Sequence, residues 1–119
     1  MKENVIKNKS FDFAIRVVRL FQYLQAEKRE FVLSKQLLRS GTSVGANIRE
    51  AEHSQSKADF IHKLSISQKE INETIYWLEL LKATDYLSET EFNSLNNDAI
   101  EIIKLLTSII KFTKLTINN

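Results

Sequence analysis

Apolar residues recur along this chain at the three- and four-residue spacing of amphipathic helices, in four runs divided by short polar connections. The first run predicts a helix over about residues 11–28, with Ser10 as its N-cap. Its apolar residues fall on two rows, Phe11, Ile15, Val18 and Phe21 beside Phe13, Val17, Leu20 and Leu24. Two rows exceed the single stripe that a core-facing helix needs. The second helix begins after Ser34 and covers about 35–53, with Leu37, Val44, Ile48 and Ala51 on its core side. Ser56 followed by Asp59 resembles a capping box and opens a third helix over about 57–83. Phe60, Leu64, Ser67, Ile71, Thr74, Leu78 and Leu81 give it a heptad-like seam, widened by Ile61, Ile75, Tyr76 and Trp77. At about 1.5 Å per residue it is roughly 40 Å long. Ser88 and Glu91 form a full capping box ahead of the fourth helix, about 89–114. Phe92, Leu95, Ala99, Ile102, Leu106 and Ile109 are its main stripe, and Ile100, Ile103, Leu105, Ile110 and Phe112 a second. The end, from Thr113 to Asn119, is expected to fray.

Short connections between long helices make neighbours antiparallel. The chain is therefore expected to be all-α, an antiparallel up-down-up-down four-helix bundle, with residues 1–119 as a single domain. Such a bundle needs about three apolar positions per heptad from each helix. The first and fourth helices exceed this, and the surplus is expected to form a subunit interface.

Both glycines of the chain, Gly41 and Gly45, fall inside the second helix. Each costs on the order of 1 kcal/mol relative to alanine there, so the missing side chains are expected to permit close backbone approach. A break near Gly41 would instead give two short helices, but the apolar phase continues through both glycines, which favours one. Ser43, Asn47 and Glu50 run beside them. Gly41, Ser43, Gly45, Asn47 and Glu50 are accordingly the candidate helix-packing and interface residues.

Composition narrows the chemistry. Proline and cysteine are both absent, which argues against a turn-rich fold and excludes disulfides, thiolate catalysis and cysteine-based zinc sites. Residues Met1-Lys-Glu-Asn contain no apolar signal region, and Glu101, Lys104 and Lys111 interrupt the most apolar segment, so the expected location is cytoplasmic, with no membrane partner. The net charge is only +2, with a pI near 8.9. Basic residues concentrate in the first half, and Arg16, Arg19, Lys35, Arg39 and Arg49 are the candidate nucleic-acid contacts. In one subunit they read as an ordinary solvated face. In a symmetric ring they would repeat into a band able to neutralise phosphates.

Catalytic readings are weaker. Glu50–His53 has the Glu-x-x-His spacing of a di-iron bundle and Asp59–His62 nearly so, but the first helix offers only Asp12 and Glu27 near its ends. The Gly41–Gly45 segment lacks the Lys-Ser/Thr pair and the preceding strand of a phosphate loop. No Ser-His-acid or Cys-His set can be assembled. The expectation is a non-enzyme with no catalytic residue, metal or cofactor. Glu70, Glu73 and Glu79 read first as surface charges pairing with Lys69 and Lys82, with a buried pair between Glu70 or Glu73 and Arg39 or Arg49 as the alternative.

The segment Gln36-Leu-Leu-Arg-Ser-Gly-Thr-Ser-Val-Gly-Ala-Asn-Ile-Arg-Glu50 resembles the hallmark of the four-helix bundle proteins encoded by intervening sequences in bacterial 23S rRNA genes. The same superfamily includes the accessory variability determinant (Avd) proteins of diversity-generating retroelements. Residues Ala58 to Thr74 fit the family's third helix, and the likeness extends from about Phe11 to Thr113. The resemblance implies a homopentameric, barrel-shaped assembly. In the retroelement relatives that ring is basic and binds nucleic acid and the reverse transcriptase. Arg39, Ser43, Asn47 and Glu50 match the motif's polar positions. At +2 this chain is less basic than the retroelement proteins, which places it nearer the rRNA-associated branch. Two function classes follow: a pentameric scaffold that binds RNA or DNA, or an adaptor ring that docks a protein partner.

Overall fold

A computed structural model describes the backbone of residues 2–117 and the side chains of residues 4–116. Four helices account for nearly all of it: α1 (Lys2–Ala26), α2 (Leu33–Ala51), α3 (Lys57–Ala83) and α4 (Glu89–Ile117). They form an elongated four-helix bundle of 52 × 22 × 20 Å. Each helix packs on its two neighbours in chain order, and α4 closes back on α1. Contacts between distant residues fix the directions. Lys7 at the start of α1 meets Glu52 just past the end of α2, Ser40 of α2 meets Thr74 of α3, and Lys82 near the end of α3 lies over Phe92 near the start of α4. Every neighbour is antiparallel, as the short connections require.

The core is the predicted set of stripes. Phe13, Val17 and Leu24 of α1, Leu37, Val44 and Ile48 of α2, Leu64, Ile71, Leu78 and Leu81 of α3, and the whole main stripe of α4 are buried. The second stripe of α4 divides. Ile110 is buried, Ile103 and Leu105 are half-buried against the core, and Ile100 and Phe112 are exposed.

Three helix ends differ from expectation. The first helix starts at Lys2, not Phe11. Ser10 is buried in its interior, with Oγ donating to the Lys7 carbonyl at 3.1 Å. Ile6 extends the row of Phe13 and Val17 by two further turns, so the apolar phase carries the helix past the serine. Ser34 likewise lies inside α2. The start of α2 is capped by Glu30, whose carboxylate accepts backbone N–H bonds from Val32, Leu33 and Ser34 at 3.2, 3.0 and 2.7 Å. The fourth helix continues through Ile117 rather than fraying from Thr113, because Thr113 is buried and its hydroxyl donates back to the Ile109 carbonyl. Asn118 and Asn119 lie outside the described residues. The other two caps form as read. Ser56 Oγ accepts from the Asp59 N–H, while Ser88 and Glu91 exchange reciprocal bonds of 3.1 and 3.0 Å.

Both glycines serve the bundle's interior rather than its turns. The left-handed backbone positions belong to Arg29 and to Asp85. Asp85 follows α3 in a Schellman arrangement, with Tyr86 N–H donating to the Leu81 carbonyl and Asp85 N–H to the Lys82 carbonyl. Inside α2, a Cβ at Gly41 would sit 2.7 Å from Val17 Cγ1, and one at Gly45 would sit 3.4 Å from the Ser10 carbonyl oxygen. The close approach they allow is made to α1 of the same chain.

The opposite side of α2 meets α3 through buried hydroxyls. Ser67 Oγ donates to the Val44 carbonyl at 2.9 Å. Thr74 Oγ1 lies 2.7 Å from the Glu70 carbonyl and 2.9 Å from Ser40 Oγ. Thr74→Val keeps the shape but leaves Ser40 with only a 3.4 Å contact to the Leu37 carbonyl. Stability in urea should drop by about 1–2 kcal/mol, and adding Ser40→Ala should recover part of it, because a hydroxyl pair replaced on both sides leaves no orphan.

Candidate functional site

The five basic candidates separate into different environments. Arg16 is neutralised within the chain: Nη1 pairs with Asp98 at 2.6 Å and Nη2 donates to Ser94 Oγ at 2.9 Å, both on α4. Arg49 lies with its guanidinium 4.9 Å from the centre of the Phe11 ring, a stacking that leaves its charge unpaired. Arg19, Lys35 and Arg39 are exposed, and among the described residues none has an acidic partner within ion-pair distance. Lys35 and Arg39 are one helical turn apart on the outward side of α2, with Arg49 further along toward α1.

Ser43, Asn47 and Glu50 follow the α3 side of α2, half-buried or exposed. Ser43 Oγ donates to the Arg39 carbonyl at 2.7 Å and Asn47 Nδ2 to the Ser43 carbonyl at 2.9 Å. Both polar side chains thus bond within their own helix. The anticipated pairing of Glu70 or Glu73 is not made in this chain, either with Lys69 and Lys82 or with Arg39 and Arg49. The ion pairs among the described residues are Lys7–Glu52, Lys9–Glu101, Arg16–Asp98 and Lys63–Asp59. Two of the four join α1 to α4 and a third ties α1 to the residue after α2, at separations no local pattern reveals.

The structure assigns the two rows of α1 different roles. Phe13, Val17 and Leu24 face the core. Phe11 is 50% exposed and Ile15 39%, and with half-buried Val18 they run along the outward side of the helix. Ala14, Arg19 and Gln22 complete that surface. Its direction follows from register: Ser10 and Val17 abut α2, Lys9 and Arg16 pair with α4, and the exposed row lies outside both, turned toward α2 where Arg49 covers Phe11.

A cavity of about 530 Å³ at the α2–α3 turn is lined by Ile6, Ile48, Leu64 and Ile109, with Ser54 and Gln55 at its rim. Among the described residues no three His, Cys, Asp or Glu side chains converge as a metal site, and His53 and His62 are both exposed. No helix among the described residues is long and apolar enough to cross a membrane.

Comparison with known proteins completes the picture. No curated protein matches the chain. A crystal structure of a protein of unknown function from the S23 ribosomal protein family of Bacteroides thetaiotaomicron VPI-5482 is 62% identical, with a TM-score of 0.92 over 93% of this chain and 99% of that one. The model of the 23S rRNA-intervening sequence protein family matches residues 2–108. With the family model spanning residues 2–108 and a solved S23-family structure 62% identical over nearly the whole of both chains, the chain belongs to the 23S rRNA-intervening sequence protein family.

Proposed function

We propose that this protein is a non-enzymatic homo-oligomeric scaffold, a pentamer on the family resemblance, that binds RNA or DNA through basic residues repeated around the assembly. The observation that carries the reading is the exposed α1 row. Phe11, Ile15 and Val18 lie outside a core already filled by the other row of the same helix. A contiguous apolar strip beside charged residues marks an interaction surface. The nucleic-acid part rests on Arg19, Lys35, Arg39 and Arg49, none of which has an acidic partner among the described residues; Arg16, held by Asp98, drops out of the contact set.

Light scattering of the native protein should give a mass several times the 13.8 kDa of one chain. A single-chain mass at micromolar concentration would overturn the scaffold reading. Binding to a labelled RNA or DNA oligomer should weaken steeply with added salt, and Lys35→Glu with Arg39→Glu should lower affinity by about tenfold or more. A flat salt response would refute the nucleic-acid role. Capture of a protein partner that survives nuclease treatment would then favour the adaptor function.

A further inference from the structure

We infer that the C-terminal half of α4 is a docking surface for an anionic phospholipid bilayer, seated through Phe112 and Leu115 and held by Lys104, Lys111 and Lys114. The inference goes beyond the scaffold reading above and uses none of its nucleic-acid residues.

Two features meet on this surface. The first is charge of a single sign. From Ile102 to Ile117 the helix contains three lysines and no Asp or Glu. Lys104, Lys111 and Lys114 are exposed, and among the described residues none has an acidic partner within ion-pair distance. The carboxylate just before them, Glu101, pairs with Lys9 of α1. The second feature is bare apolar area. Phe112 is 66% exposed, Leu115 59% and Ile100 38%. Ile100, Lys104, Lys111 and Leu115 repeat at four- and seven-residue steps, which sets them along one side of the helix. Lys114 and Phe112 lie to either side of that row.

The fold explains why Phe112 is uncovered. Lys9 pairs with Glu101 and Arg16 with Asp98, so α1 and α4 pass each other in opposite directions. From Lys9 the described α1 continues for about two turns to Lys2, whereas Phe112 lies about three turns beyond Glu101. Phe112 therefore stands past the level of Lys2. Its neighbour Thr113 is buried, so this end of α4 is held in the bundle and its bare side has a fixed direction.

Charge and hydrophobicity together select the occupant. Nucleic acid would satisfy the lysines but leave Phe112 and Leu115 in water. A second copy presenting the same face would set lysine against lysine. An anionic bilayer meets both demands. Phe112 and Leu115 enter the boundary between headgroups and acyl chains, and the lysines extend their stems to the headgroup phosphates. Spanning a bilayer takes about 20 apolar residues, whereas seating on one takes only an apolar edge beside basic charge. No helix among the described residues is long and apolar enough to cross, so the contact is peripheral and sensitive to salt.

The test is co-sedimentation of the full chain with lipid vesicles. The protein should bind vesicles of equal parts phosphatidylcholine and phosphatidylglycerol, release as salt is added, and ignore phosphatidylcholine alone. Lys111→Glu with Lys114→Glu should lower binding by about tenfold or more. Phe112→Ser with Leu115→Ser should weaken it several-fold. All four positions are exposed, so both double variants should keep wild-type helicity by circular dichroism and wild-type mass by light scattering. Lys35→Glu with Arg39→Glu should leave vesicle binding unchanged. No binding to the phosphatidylglycerol vesicles, or binding that both α4 double variants leave intact, would overturn the inference. So would an α4 double variant that alters the mass, which would make this face a contact between copies. Loss of RNA binding without loss of vesicle binding would overturn it in favour of nucleic acid.

Discussion

Gly41→Ala should destabilise the bundle by about 1–3 kcal/mol, the usual cost of overpacking a filled core, and Gly41→Leu should prevent a well-packed fold. Alanine is the better helix former by about 1 kcal/mol, so the sign is set by the neighbour. The new methyl would fall 2.7 and 2.8 Å from the two γ-carbons of Val17 and 3.2 Å from its β-carbon. Val17 is fully buried in a helix, where a β-branched side chain has one strongly preferred rotamer, so it cannot swing aside. Gly45 provides the internal control. A methyl there would meet Ser10 atoms at 3.4–3.5 Å, an ordinary contact, and Gly45→Ala should be neutral or stabilising by up to about 1 kcal/mol. Thermal melts of the two variants should move in opposite directions. Val17→Ala should partly rescue Gly41→Ala, because it removes the atoms that collide. Equal melting temperatures for both alanine variants would mean that the α1–α2 approach is not set by Gly41.

The second large effect concerns Glu30, which stands before α2 and is only 8% exposed. Burial raises the pKa of its carboxyl, but the backbone N–H groups of Leu33, Ser34 and Val32, with the Ser34 hydroxyl, outweigh burial and hold it below its ordinary value. Glu30→Ala strips the acceptor from three N–H groups at the start of the helix, and a loss of about 1–3 kcal/mol is expected. The pH dependence follows from the same depression. A carboxyl with a lowered folded-state pKa stabilises fully above its unfolded value, and that contribution disappears as pH falls through the folded value. Glu91, whose pKa is lowered chiefly by its bonds to the Ser88 backbone and hydroxyl, acts in the same direction. Urea melts of the wild type should therefore weaken as pH falls through the acid range. Glu30→Gln, which cannot ionise, should narrow that dependence. A pH profile unchanged by Glu30→Gln would show that the cap carries no charge-linked stability.

Much of the bundle could be read directly from apolar spacing. The seam of α3 and the main stripe of α4 are core residues, since a three- and four-residue repeat defines a helix face without reference to anything distant. The capping box at Ser88 was legible for the same reason, being closed within four residues. Ser10 has the composition of a cap, a serine before an apolar run, and Ser34 stands just before the expected start of the second helix. Both instead occupy buried positions inside helices: Ser10 lies under Gly45, and Ser34 Oγ donates to the Glu30 carbonyl. Glu30 went unread because its longer side chain caps from further back than the usual serine or aspartate. The glycines announced a close approach but not its partner, which is α1 of the same chain. Of the basic candidates, Arg16 was the least readable. Asp98 lies 82 residues away, and only closure of α4 onto α1 brings them together.

Trp77 makes the surroundings of Tyr76 observable. It is the chain's single tryptophan, and its Nε1 is buried with no hydrogen-bond partner among the described residues, although an indole N–H usually finds one. Its fluorescence is therefore an intrinsic reporter placed beside Tyr76. If copies meet there, emission should shift as the protein is diluted, so self-association can be followed optically without attaching a dye.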